Sequence, residues 1–165
     1  MSRSLQLRFK KGADGRIASF ALHRSDGTFT VQRNPSGFFP AHDLTHYAVE
    51  TTLGFRRAFY GLVAEGWDFG DFGTPWPRGP MPGDDAGPAE FIVGFLDIER
   101  STGHLSNAGA LMERLRSVGS ALVVTDEQLD RVRRTRDALI AQWHSLPAGE
   151  TLVLEFSPER LAARP

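Results

Sequence analysis

Cysteine is absent from all 165 residues. That excludes a disulfide framework and any thiolate ligand, so a metal site in this chain must be built from His, Asp or Glu. No stretch approaches the roughly 18 consecutive apolar residues of a membrane-spanning helix. The N-terminal MSRSLQLRFKKG lacks the apolar core of a secretion signal, and a soluble, cytoplasmic protein is expected. An excess of one charge is also lacking, since 19 Lys and Arg stand against 20 Asp and Glu, a net of −1. Such a chain has no general attraction for nucleic acid or for an anionic membrane. A P-loop, a glycine-rich dinucleotide fingerprint and a GxSxG elbow are missing as well.

What is present suits one domain over residues 1–165, because 41% hydrophobic residues with twelve Phe and three Trp supply a sizeable core. SLQLRFKK alternates Leu5, Leu7 and Phe9 with polar residues, the period of a half-buried strand. RIASFALHR is a second strand and TFTVQR a third, joined by a tight turn at Asp26-Gly27. Near the other end, ETLVLEF at 150–156 reads as a strand able to return to this sheet. The last residues, SPERLAARP, read as a short tail that frays.

Between them lie helical patterns. One long helix is expected from Pro40 to about Glu65, with Pro40 in its first turn, Asp43 complementing its dipole and Gly66 as its stop. Gly54 and Gly61 inside it mark close approach of another element or a ligand. Residues 66–88 hold six Gly and five Pro, which excludes regular structure. Trp67, Phe69, Phe72 and Trp76 are too apolar for a disordered linker, so an ordered loop packed onto the body is expected. Its aromatics either plug the core or stack a flat ligand. Further helices are expected from Ala89 to Thr102, after a cap at Ser106 or Asn107, and after the capping box of Thr125 and Gln128. The fold expected is α+β: a small antiparallel sheet of the N-terminal hairpin strands and a C-terminal strand, packed against about four helices.

The chemistry-bearing segment is FFPAHDLTHYAVE. His42, His46 and Glu50 recur every four residues, so their side chains project side by side, about 6 Å apart along a helix. On a helical wheel Leu44, Ala48, Phe55, Ala58, Phe59 and Leu62 form one face. His42, His46 and Glu50 share the opposite face with Val49, Leu53 and Tyr60. Apolar groups on both faces mean that the helix is covered on both sides. The three polar side chains then lie in an apolar-walled space and need partners.

Three readings follow. In the first, His42, His46 and Glu50 are ligands of a divalent metal, zinc or similar. Glu50 is the third ligand or the catalytic general base that activates bound water for hydrolysis. Three turns span about 12 Å, so two of them are expected to share the ion with ligands from elsewhere. Asp84, Asp85, Asp97, Glu99 and His104 are candidates, with Asp43 orienting a histidine. The unknown small-molecule substrate would lie under the aromatic loop as lid. In the second reading the cluster works without a metal. In the third, His46 and Glu50 are an ordinary hydrogen-bonded pair in a metal-free structural or protein-interaction module, a homodimer being one form of it, with the helix and the loop as its packing surface. The basic run RVRRTR, offset by Asp126, Glu127, Asp130 and Asp137, reads as a solvated helix face.

HDLTH resembles the HDxxH zinc motif of a protein family of ubiquinone biosynthesis. There a glutamate eleven intervening residues later completes the site, and here Ala58 holds that position. The likeness covers five residues and implies zinc at the histidines. The longer stretch HDLTHYAVETTLGFRRAFYGLVAEGWDF…GTPWPRGP is similar to that of small uncharacterised bacterial proteins, a likeness that implies a family and no activity.

Overall fold

The computed structural model describes residues 3–161. Three strands open the chain: β1 (Leu5–Lys11), β2 (Ile17–Arg24) and β3 (Phe29–Arg33). The last strand, β4 (Thr151–Phe156), returns to pair antiparallel with β1, giving the order β3-β2-β1-β4. Leu5 faces Phe156, Leu7 faces Leu154 and Phe9 faces Leu152 across that pair. The alternation seen in the sequence thus becomes one apolar sheet face. Asp26-Gly27 forms the expected turn, with Gly27 at φ +87° and the Thr28 amide donating to Asp26 at 2.9 Å.

Among the described residues there are five α-helices: α1 (Ala41–Leu53), α2 (Phe59–Ala64), α3 (Gly83–Thr102), α4 (Ala108–Ser117) and α5 (Asp126–Ser145). α1, α2 and α5 pack on that face, and α3 and α4 pack on the far side of α1. The fold is α+β, a four-stranded antiparallel sheet packed against helices, as expected. Asn107 caps α4 by accepting from the Ala110 amide. Thr125 and Gln128 exchange both bonds of the capping box on α5.

Two expectations need correction. The single helix over 40–65 is two helices, because Gly54 adopts φ +71° and closes α1 by donating to the Glu50 carbonyl. Asp85 then accepts from the amides of Arg56 and Arg57, which helps the chain restart as α2. The second correction concerns residues 83–88, which belong to α3 despite Gly83, Gly87 and Pro88. Tertiary packing overrides propensity there: Ala86 is buried against Leu62 and Trp67. The final residues 158–160 form a single 3-10 turn, and 162–165 lie outside the described residues.

α1 lies between two layers. Leu44 joins the core beneath the sheet with Phe9, Phe20, Tyr60 and Phe156. Ala48, Val49 and Leu53 join the core among the helices with Ile92, Leu96, Leu111 and Val132. The helix is therefore covered on both sides, as its two apolar faces required. Among the described residues no helix is long and apolar enough to cross a membrane.

Candidate functional site

α1 and α3 run antiparallel with their acidic and histidine residues facing one another. His42 Nδ1 meets Asp97 Oδ2 at 2.6 Å near one end. Four residues on, His46 Nε2 lies 3.5 Å from Glu90 Oε2. His46 Nδ1 lies 3.4 Å from Glu50 Oε1 on its other side. The two imidazole rings are 4.8 Å apart and nearly perpendicular. Phe38 and Phe39 pack on His42, while Phe59 packs on His46.

Glu50 is fully buried behind His46. Its second oxygen accepts from the Tyr60 amide at 3.0 Å. Asp43 is also buried, yet its Oδ2 has no hydrogen-bond partner. Its carbonyl accepts from the Tyr60 hydroxyl at 2.7 Å. Burial of polar groups inside apolar walls was expected, and for Asp43 one oxygen is left unsatisfied, which costs free energy unless something fills it.

A cavity of about 400 Å3 opens at this cluster. His42, Asp43, His46 and Glu90 form its polar end, and Glu50 does not reach it. Phe39, Phe59, Phe69, Phe72, Trp76 and Met81 form its walls. The loop after α2 is ordered as expected. Arg24 holds it by donating to the carbonyls of Val63 and Trp67 and to Asp68. Arg78 ties its far arm back through Asp71 and the Gly66 carbonyl.

The electrostatics follow from burial and proximity. Burial pushes the Asp43 carboxyl up to about 7, against the pull of His46 and His42. Burial alone would lower His46, but the Glu50 and Glu90 carboxylates outweigh it and hold His46 well above its usual range. Glu50 is raised by burial. Burial acts to raise Glu90 too, but His46 beside it keeps that carboxyl low.

Among the sequence candidates, His42 and His46 are brought together and Asp97 joins them. Asp85 is spent on the two amides before α2. Glu99 is buried with Arg133, 2.5 Å away on α5. Arg57 pairs with Glu65 and takes no part. Asp84 and His104 are exposed away from the cluster. In RVRRTR, Arg131 and Arg134 are exposed as expected, and Arg131 pairs with Glu127. Arg133 and Arg136 instead turn inward, Arg133 onto the buried Glu99 and Arg136 beside Asp137, so only part of the run is a solvated face. Glu90 was not anticipated. Its signal is the spacing of seven to Asp97, two helical turns, which sets both acids on one face of α3.

Among the described residues no three His, Asp or Glu side chains stand close enough to share one ion as placed. Pairs are present, and the donor set is chemically suited to a hard or borderline cation. Compared with known proteins, the chain matches no family model, no curated protein and no solved structure. The likeness of HDLTH to a zinc motif therefore rests on those residues alone.

Proposed function

We propose that the cavity binds a small molecule at a divalent-cation site, with His42, His46, Asp43 and Glu90 as ligands. Asp97 and Glu50 orient the two histidines from behind. The unpartnered, buried Asp43 Oδ2 carries the reading, because a carboxylate oxygen kept dry beside two histidines calls for a cation or a donor. Support comes from both Nδ1 atoms being engaged by acids, the arrangement that leaves Nε2 for an ion. The 3.5 Å between His46 Nε2 and Glu90 Oε2 is long for a hydrogen bond. Two atoms each about 2.1 Å from one ion can stand that far apart.

Glu90, with its side chain 40% exposed, is the member free to swing and complete the set. A bound zinc-like ion would supply Lewis acidity and an acidified water, which makes hydrolysis the reaction class requiring fewest further parts. In this reading Glu90, which reaches the cavity, replaces Glu50 as the acid next to the substrate. Glu50 serves as a positioning residue through His46.

One observation favours a metal-free reading. Both nitrogens of His46 lie within ion-pair range of a carboxylate, the pattern of an imidazolium clamped between Glu50 and Glu90. The cluster would then be a structural tie or an anchor for a cationic ligand.

Elemental analysis of untagged protein, beside Asp43→Asn and His42→Ala/His46→Ala, separates the two. Near-stoichiometric metal in the wild type, lost from folded variants, is the expected result. A wild type that stays metal-free after dialysis against zinc, manganese and ferrous ions leaves the clamped imidazolium as the reading.

A further inference from the structure

The bulky aromatics of the loop after α2 do not share one role. Trp67 is buried, 5.2 Å from the Phe72 ring and covered by the Arg78 guanidinium. Phe72 in turn lies 4.6 Å from Phe59, and Phe69 lies 5.5 Å from Phe20. All three rings are fixed by packing, and Phe69 and Phe72 also wall the cavity.

Trp76 is different. It is half-buried and lines the cavity, yet among the described residues no ring stacks on it and its indole N–H donates to nothing. Its backbone sits at φ +59°, a left-handed conformation that bulky residues rarely adopt. The strain is held by two backbone bonds, Trp76 to the Gly73 carbonyl at 2.6 Å and Gly79 to the Trp76 carbonyl at 2.8 Å. The loop thus keeps a costly conformation at a residue that lines the cavity.

Gln32 makes a second unmatched contribution. It lies on the inner face of the edge strand β3 and lines the same cavity. Among the described residues its side-chain amide has no hydrogen bond. The other inward polar residue of that strand, Thr30, is already used by the Phe69 amide.

Other hollows carry less. The one of about 760 Å3 beside β1 contains Lys11, but that ammonium is consumed by the carbonyls of Trp143, His144 and Leu146. Exposed Val118 borders another of about 620 Å3 beside α3, and nothing on that face identifies an occupant.

We infer that the molecule entering the cavity carries a flat unsaturated group that lies against the Trp76 indole, with its polar group toward His42, His46 and Glu90 and with Gln32 as a hydrogen-bonding partner. The inference rests on the proposed function for the polar end only. A volume of about 400 Å3 suits a one- or two-ring compound with a short polar arm. Aromatic walls on one side and all the ionisable groups on the other require a ligand of the same polarity. Trp76 is then a specificity-determining residue that favours the ring and has no part in holding the cation.

Benzohydroxamate and acetohydroxamate share a metal-binding head and differ by the ring, so they are suitable probes. Each is titrated with and without zinc, reading affinity and the Trp76 indole N–H resonance, which Trp76→Leu assigns. Benzohydroxamate should move that resonance and bind about tenfold tighter than acetohydroxamate. Trp76→Leu should abolish most of that preference while leaving zinc content unchanged. Equal affinities in the wild type, a preference that survives in Trp76→Leu, or no binding of either probe overturns the inference. Failure of the cation reading looks different: zinc then changes neither affinity, while the ring preference and the Trp76 shift persist.

Discussion

Glu50 accepts the backbone N–H of Tyr60 at 3.0 Å, so a wholly buried carboxylate on α1 ties down the first turn of α2. The short helix has no side-chain cap of its own, and the charge from α1 substitutes for one. The same carboxylate faces His46 Nδ1, which leaves no oxygen for the cavity.

Removing this acid should therefore cost stability before it costs anything else. Glu50→Ala leaves both the Tyr60 amide and His46 Nδ1 without an acceptor, a loss of about 3–5 kcal/mol. Glu50→Gln retains an acceptor for Tyr60 and should cost about 1–2 kcal/mol. Urea unfolding of the pair measures the difference, and equal losses would contradict the capping role.

Cation binding should depend unevenly on the acids. Asp43→Asn and Glu90→Gln should each weaken zinc binding by about 10-fold to 100-fold or more, with unchanged circular dichroism. Asp97→Asn, acting through His42, should weaken it by about 10-fold. Calorimetric titration with zinc gives all three. A Glu90→Gln protein that binds as tightly as the wild type would remove Glu90 from the ligand set.

The metal-free protein should become less stable as pH rises. Asp43 has a folded value of about 7 against an ordinary 3.8, so folding takes up a proton between those values. Its contribution is present at low pH and is lost on the way to neutrality. His46, also raised, keeps its contribution below its ordinary value of 6.5 and loses it as pH climbs above that. Tm should fall from pH 5 to pH 8, and Asp43→Asn should flatten the lower part of the fall. Zinc affinity should run the other way, rising with pH as those protons are displaced. Tm curves that run parallel in the two proteins over this range would show that the Asp43 carboxyl is not raised in the fold.

Lys11 should be among the costliest surface-proximal residues to replace. Its ammonium donates to three carbonyls at the end of α5 and sits 4.8 Å over the Trp143 ring. Lys11→Met keeps the stem but strands those carbonyls, a loss of about 2–4 kcal/mol. A change in the urea midpoint equivalent to less than about 0.5 kcal/mol would mean that water replaces the lysine freely.

Gly61→Ala should destabilise strongly although Ala is the better helix former. An added Cβ would lie 1.9 Å from the Arg56 carbonyl oxygen, a contact that only backbone movement relieves. A loss of about 3 kcal/mol or more is expected, read by thermal unfolding. A neutral or stabilising effect would place the turn before α2 among the deformable parts of the chain.

Period-2 alternation in β1, the turn at Asp26-Gly27 and the capping box at Thr125 are local signals, and each forms where its residues demand. The double apolar face of α1 was equally readable, because covering on both sides is written into a single helix. Gly61 was legible as a tight approach, though not what it approaches. The break between α1 and α2 was not legible, since it depends on Asp85 arriving from α3 to accept the Arg56 and Arg57 amides. Nor was the helical start of α3, which owes its order to Ala86 packing on Leu62 and Trp67.

At the site, the sequence by itself determined that His42, His46 and Glu50 share one helix face in apolar surroundings, because helical spacing is a property of the chain alone. Only the tertiary structure decided that Glu50 lies behind His46 and that Glu90 and Asp97 complete the cluster. Those two acids belong to another helix, and which residues of two helices meet is set by the antiparallel packing of α1 on α3, an arrangement that no local pattern encodes.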